Sequence, residues 1–229
     1  MIQSLFLFFL CLSMYSAEPI VTKVACEQFE DLDLIMDRGE VVFEPVDGEL
    51  AKVVYQVREK TSNKPINVEV VDGKLMIDAS NEGGKGNHVD FHIFVPRTTN
   101  IRVKAGMVKM RAVALSGELQ AEMGIGNINI HAPFSQVEMK MGKGKVSLDY
   151  PTIPQKRCNI KIKAGMAQVD IKLPDNAKVY ELRDKHFLTS GRNDFTFVDK
   201  RKAHFLIDAK IGMGKINILK AVSKKTKND

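Results

Sequence analysis

A chain of 229 residues with 44% hydrophobic and 27% charged residues has enough apolar material for one packed core, which excludes a disordered tail. Its net charge of +6 is unevenly spread: residues 18–100 sum to −7 and residues 101–229 to +13, so the second part suits an anionic partner. Aromatic residues make up 7%, too few for a platform of interleaved aromatic and basic side chains, and no nucleic-acid partner is expected.

Residues 2–12 are almost wholly apolar and are followed by Ser13, Ser16 and Ala17 before the turn-like Glu18-Pro19. This pattern predicts a signal peptide over 1–17, since an apolar run of 11 residues is too short for a bilayer core that needs ~20. The chain is therefore expected to be exported, to the periplasm, the cell surface or the medium. No later stretch is long and apolar enough to span, so no transmembrane segment is expected in the mature chain. Beyond the leader stand two cysteines, Cys26 and Cys158. In an oxidising compartment they are a candidate disulfide, with two buried free thiols as the alternative.

The acidic part, 18–100, is irregular. Strands are predicted over 35–43, 52–58, 68–77 and 89–95, the third interrupted by the hairpin signal Asp72-Gly73. Residues 81–87, with Gly83, Gly84 and Gly86, read as a loop, and Pro96 ends the strand before it.

From residue 101 the chain repeats itself. Five segments align on Gly106, Gly124, Gly142, Gly165 and Gly212, with spacings of 18, 18, 23 and 47 residues, and a degenerate copy around Gly191 divides the last interval. Apolar residues lie three and one before the glycine (Val103, Ala105; Met139, Met141; Ile162, Ala164) and four and six after it (Ile128, Ile130; Val146, Leu148; Val169, Ile171). That is the period of a strand. The position two after the glycine is small or slim (Val108, Gly126, Gly144, Ala167, Gly214), so the inward phase slips once, at the glycine. A glycine corner in a stacked coil accounts for such a slip, and so does a two-residue hairpin. The predicted fold is all-β, a β-solenoid-like stack of roughly 20-residue Gly-cornered repeats, with a β-sandwich of hairpins as the alternative. Residues 18–220 are read as a single β-repeat domain and 221–229 as a polar tail.

The run Val89-Asp90-Phe91-His92-Ile93-Phe94-Val95-Pro96, then Ile101-Arg102-Val103-Lys104-Ala105-Gly106 and repeated Gly-x-small-x-aliphatic units, resembles the bacterial putative-adhesin family of exported β-repeat domains. The likeness covers roughly residues 30–220. It implies an exported, single-domain, solenoid-like fold and no catalytic residue to carry over. The many methionines and the wide interval between Gly165 and Gly212 depart from that pattern.

Outward positions carry the candidate binding residues. Two before the glycine stand Lys104, Glu122, Lys140, Lys163 and Lys210; three after it stand Lys109, Asn127, Lys145, Gln168 and Lys215. Stacked, these form basic ladders suited to an anionic glycan, a lipid head group or an acidic envelope protein. His88, Asp90 and His92 share one side of a strand and are the best local candidate for a metal site, although a fourth ligand is not identifiable. Met107, Met166 and Met213 directly succeed repeat glycines, where exported methionines can bind Cu(I); Met110, Met123, Met139 and Met141 fall on inward positions. Gly142-Lys143-Gly144-Lys145 lacks the Ser or Thr and the helix of a phosphate loop, and no cofactor is expected. The sequence thus predicts a non-catalytic exported module, adhesin-like, that uses its Lys-rich face. The alternative is a carbohydrate-active lyase or hydrolase using Asp170, the one carboxylate in the outward row five after the glycine (Arg111, Asn129, Ser147, Asp170, Asn217).

Overall fold

The computed structural model describes residues 18–81, 86–182 and 189–221. The predicted signal peptide and nearly all of the polar tail lie outside the described residues. The elements are β1 (Ile20–Ala25), β2 (Asp31–Pro45), β3 (Leu50–Glu59), β4 (Asn67–Val71), β5 (Lys74–Ala79), β6 (His88–Val95), β7 (Asn100–Val113), β8 (Glu118–His131), β9 (Gln136–Asp149), β10 (Cys158–Leu173), β11 (Val179–Glu181), β12 (Thr189–Ser190) and β13 (Phe205–Lys220). The protein is all-β; among the described residues the other regular elements are two short 3-10 turns. Among the described residues no helix is long and apolar enough to cross a membrane.

The strands form one hydrogen-bonded sheet ordered β1-β3-β6-β2-β7-β8-β9-β10-β13-β11, with β5 also on β2, β4 on β5 and β12 on β13. From β2 to β13 the long strands pair parallel and in register, residue for residue. Antiparallel pairing is confined to β1/β3, β3/β6 and the β4/β5 hairpin, whose turn is Asp72-Gly73 with φ of 48° and 73°.

Burial explains how a strand of 14–16 residues stays continuous while both its halves face the core. In β7, Ile101 and Val103 are buried before the glycine and Val108, Met110 and Ala112 after it, while Gly106 and Met107 are both exposed. Two consecutive outward residues reset the alternation, so the chain turns a corner without losing its ladder. None of the five repeat glycines sits in a hairpin loop.

These glycines stack, and the stack dictates their identity. A Cβ on Gly124 would lie 2.9 Å from the carbonyl oxygen of Gly106, on Gly142 2.7 Å from that of Gly124, on Gly165 2.8 Å from that of Gly142, and on Gly212 2.8 Å from that of Gly165. Positive φ belongs instead to the position two later: Gly144 at 155° and Gly214 at 138°. There a Cβ would fall 1.8 Å from the carbonyl oxygen of the neighbouring strand.

The structure adds a copy and displaces one. Strand β2 continues the stack with Asp37 in register at the corner and Gly39, φ 143°, two residues on. Asp37 tolerates a side chain because β2's far side is shared: β5 pairs its first arm through Met36, β6 its second from Arg38, and the corner faces the gap between them. The Asp37 carboxylate fills that gap, accepting from the Asn81 backbone N–H at 2.7 Å. The degenerate copy around Gly191 does not join the corner stack: Thr189 pairs with Gly214 and Ser190 with Lys215, which leaves Gly191 beside Ile216 on the outer edge of β13.

Candidate functional site

The parallel register turns the outward positions into rows. Lys104, Glu122, Lys140, Lys163 and Lys210 are successive neighbours across β7, β8, β9, β10 and β13, and all are exposed. On the other side of the corner Glu40, Lys109, Asn127, Lys145, Gln168 and Lys215 form a second row. Neighbouring strands lie ~4.8 Å apart, so each row is a regular ladder of outward side chains, charged throughout in the first row and interrupted by Asn127 and Gln168 in the second.

The lysines differ in how far they are neutralised. Lys109 holds Glu40 at 2.9 Å, while Lys145 stands 4.0 Å from Asp170 and Lys210 4.0 Å from Asp208. Among the described residues, Lys104, Lys140, Lys163 and Lys215 form no ion pair. These four exposed ammonium groups have no carboxylate partner among the described residues.

Between the two rows runs a third, at the corner itself: Arg38, Met107, Ile125, Lys143, Met166 and Met213 in register. Met107, Ile125, Met166 and Met213 are 55%, 46%, 44% and 49% exposed, and the row contains no carboxylate. The inward methionines Met110, Met123, Met139 and Met141 are buried and act as core filler. Met166 and Met213 are direct neighbours, whereas Ile125 and Lys143 separate Met107 from them.

His88, Asp90 and His92 do lie on one side of β6, yet their partners draw them apart. Asp90 is occupied by the Arg58 guanidinium at 2.7 Å and the Glu40 backbone N–H at 3.0 Å. His88 reaches it at 3.5 Å, and His92 turns to Glu44 at 3.0 Å and stacks on Phe94. Among the described residues no group of three or more His, Cys, Asp or Glu is placed to hold a metal. Asp170 is likewise engaged, accepting from Asn217 Nδ2 at 2.6 Å and Gln168 Nε2 at 2.8 Å.

The candidate disulfide is not formed: Cys26 and Cys158 are both free. Cys26 directly succeeds edge strand β1 and Cys158 opens β10, with six strands between. Seven strand spacings of ~4.8 Å give roughly 34 Å across the sheet, whereas a disulfide needs Cα atoms within ~7 Å. Cys158 is buried, with its thiol 3.3 Å from the Tyr150 hydroxyl and 3.3 Å from the Phe134 carbonyl oxygen. Burial pushes the Cys158 thiol up to about 12, against a smaller opposing effect of the Tyr150 hydrogen bond.

The fold has counterparts among solved structures. It is similar to that of a putative cell adhesion protein from Clostridium sporogenes, at 19% identity and a TM-score of 0.51, over 89% of this chain and 99% of that one. In fold, the chain resembles a putative adhesin. Putative adhesins from Bacteroides fragilis and Parabacteroides merdae match more distantly, each at 12% identity over 90% of this chain and 97% of theirs, with TM-scores of 0.33 and 0.30. No family model and no curated protein matches the sequence.

The Asp37 corner escapes alignment on glycine because its glycine is missing, although Leu34, Met36, Gly39, Val41 and Phe43 keep the spacing of the other copies. Met107, Met166 and Met213 are visible in that alignment as the residues after the glycines, whereas their union with Ile125 and Lys143 in one row follows only from the parallel register.

Proposed function

We propose that the protein is a non-catalytic exported module, one β-repeat domain over 18–220 with a solenoid-like stack of coils, that attaches to an anionic envelope polymer or an acidic partner. Its contact surface is the pair of lysine rows, Lys104, Lys140, Lys163 and Lys210 with Lys109, Lys145 and Lys215. One observation carries this reading: the parallel register lines these side chains up, exposed, with four of them forming no ion pair among the described residues. A row of fixed cations spaced at strand intervals matches a chain of repeating negative charge. The internal hydrogen bonding of Asp170 and of Asp90 also favours binding over catalysis, since both carboxylates serve the scaffold. Parallel pairing through the glycine corners and the fold likeness to the Clostridium protein support the solenoid-like architecture.

The test is retention on immobilised dextran sulfate at low salt and at about 0.5 M, where the Debye length falls to roughly 4–5 Å. The reading predicts retention that salt abolishes and that Lys104→Glu, Lys140→Glu and Lys163→Glu together remove while circular dichroism stays unchanged. A triple variant retained like the native chain contradicts it.

A further inference from the structure

The corner row is chemically unlike the rows beside it. Of six in-register positions, four are large apolar side chains about half exposed and two are the cations Arg38 and Lys143. The row crosses β2, β7, β8, β9, β10 and β13, about 24 Å at strand spacing. It stands at the corner beside the exposed row of repeat glycines, and the residue after each member turns back toward the core, as Val108, Gly126 and Ala167 do. Three of the four apolar members are methionine, unbranched and adaptable. Lysine rows border it on both sides, and lysines bury their stems along apolar surface while keeping the ammonium in the polar layer.

From this juxtaposition we infer that the corner is a membrane-contact edge, on which Met107, Ile125, Met166 and Met213 enter the headgroup–acyl boundary of an anionic bilayer while the flanking lysines pair with lipid phosphates. The inference rests on the anion-binding reading above and narrows its partner to a lipid surface. A convex apolar edge encloses little of a small ligand, and a protein partner would have to supply a matching groove. A bilayer interface accepts such an edge directly, and an anionic one adds the charge complementarity that both lysine rows provide. The corner row contains no carboxylate, although its Arg38 pairs with Glu59 at 3.1 Å; in the flanking rows Glu122 lies between Lys104 and Lys140, and Glu40 is held by Lys109 at 2.9 Å.

The chain contains no tryptophan, so Ile125→Trp places a single reporter on the edge. The full chain carrying this substitution is mixed with vesicles of phosphatidylglycerol, with vesicles of phosphatidylcholine and with soluble dextran sulfate. The expected result is a shift of the emission to shorter wavelength with phosphatidylglycerol vesicles alone. A second variant, Met107→Ser, Met166→Ser and Met213→Ser together, is expected to lose affinity for phosphatidylglycerol vesicles by roughly tenfold or more, the effect of returning three half-exposed apolar side chains to water. Its retention on dextran sulfate stays at the native level. Sedimentation with the vesicles without an emission shift, or a serine variant that binds them like the native chain, overturns the membrane edge and leaves the anion-binding reading standing. Loss of dextran sulfate retention in the native chain overturns the anion-binding reading itself. An emission shift that needs no vesicles and grows with protein concentration assigns the edge to a second copy of this chain and also overturns the inference.

Discussion

Replacing Gly144 by alanine should be far more costly than replacing Gly126, although the two glycines are neighbours in the same row of the stack. At Gly144 the backbone holds φ at 155°, and an added Cβ would fall 1.8 Å from the Gly126 carbonyl oxygen. Alanine there carries backbone strain of ~1–3 kcal/mol and, by forcing β9 away from β8, loses one or two ladder hydrogen bonds at ~1 kcal/mol each. The expected loss is about 2–5 kcal/mol, a large part of a typical total of ~5–15 kcal/mol. At Gly126 the Cβ would meet Met123 Sδ at 2.2 Å and Met141 Cε at 3.3 Å, atoms of flexible side chains that can turn aside. Alanine there should cost about 1 kcal/mol. Gly142→Ala, facing the Gly124 carbonyl oxygen at 2.7 Å, should fall between the two. Guanidinium unfolding of the three variants, with comparison of midpoints at constant slope, reads the order directly. Equal midpoints for Gly144→Ala and Gly126→Ala would refute the account of the corner.

The cysteines supply further tests. Iodoacetamide applied to the native protein should modify Cys26, which is part exposed, and leave Cys158 untouched until denaturant is added; a linked pair recovered by mass spectrometry would contradict the free thiols. Because burial raises the Cys158 thiol from 9.0 to about 12, the folded state holds that proton more tightly than the unfolded chain. Its stabilising contribution is complete below pH 9 and is lost as pH rises toward 12, at ~1.4 kcal/mol per pH unit and ~4 kcal/mol in all. Burial raises the Tyr150 hydroxyl too, so it steepens the decline in the same direction. Cys158→Ser should start less stable than the native chain but lose less stability between pH 9 and 11, and parallel declines would show that Cys158 does not titrate in this way.

Much of the stack was legible in the sequence, for a physical reason. A corner that cannot accommodate a Cβ and a core that admits aliphatic side chains leave their marks at fixed offsets, and Gly106, Gly124, Gly142, Gly165 and Gly212 with their flanking Val and Ile residues carry both marks. Asp37 was illegible because its steric constraint is relieved by the gap between β5 and β6, a consequence of tertiary pairing. Strand β1 was missed because it is an edge strand with little burial, so its residues alternate weakly. The glycine at 191 misled: Phe195 and Phe197 stand four and six after it as in the other copies, yet the pairing of Thr189 with Gly214 sets a different register. In the candidate site, the lysine positions could be read from periodicity, but their partners could not. Glu40 reaches Lys109 across 69 residues of sequence, and only the register of β2 on β7 brings them together. The histidines of β6 shared a side as expected, while the groups that separate them, Arg58 and Glu44, come from neighbouring strands.

The central claim, that the protein binds anions through the lysine rows beside the glycine corner, is tested most directly by lysine footprinting. The protein is acetylated at low salt with and without dextran sulfate, and the modification of each lysine is quantified by mass spectrometry. The account predicts protection of Lys104, Lys140, Lys163 and Lys215, while Lys200 and Lys202, exposed in the 3-10 turn before β13, react equally in both states. Uniform protection of all exposed lysines, or protection centred on Lys200 and Lys202, would contradict it.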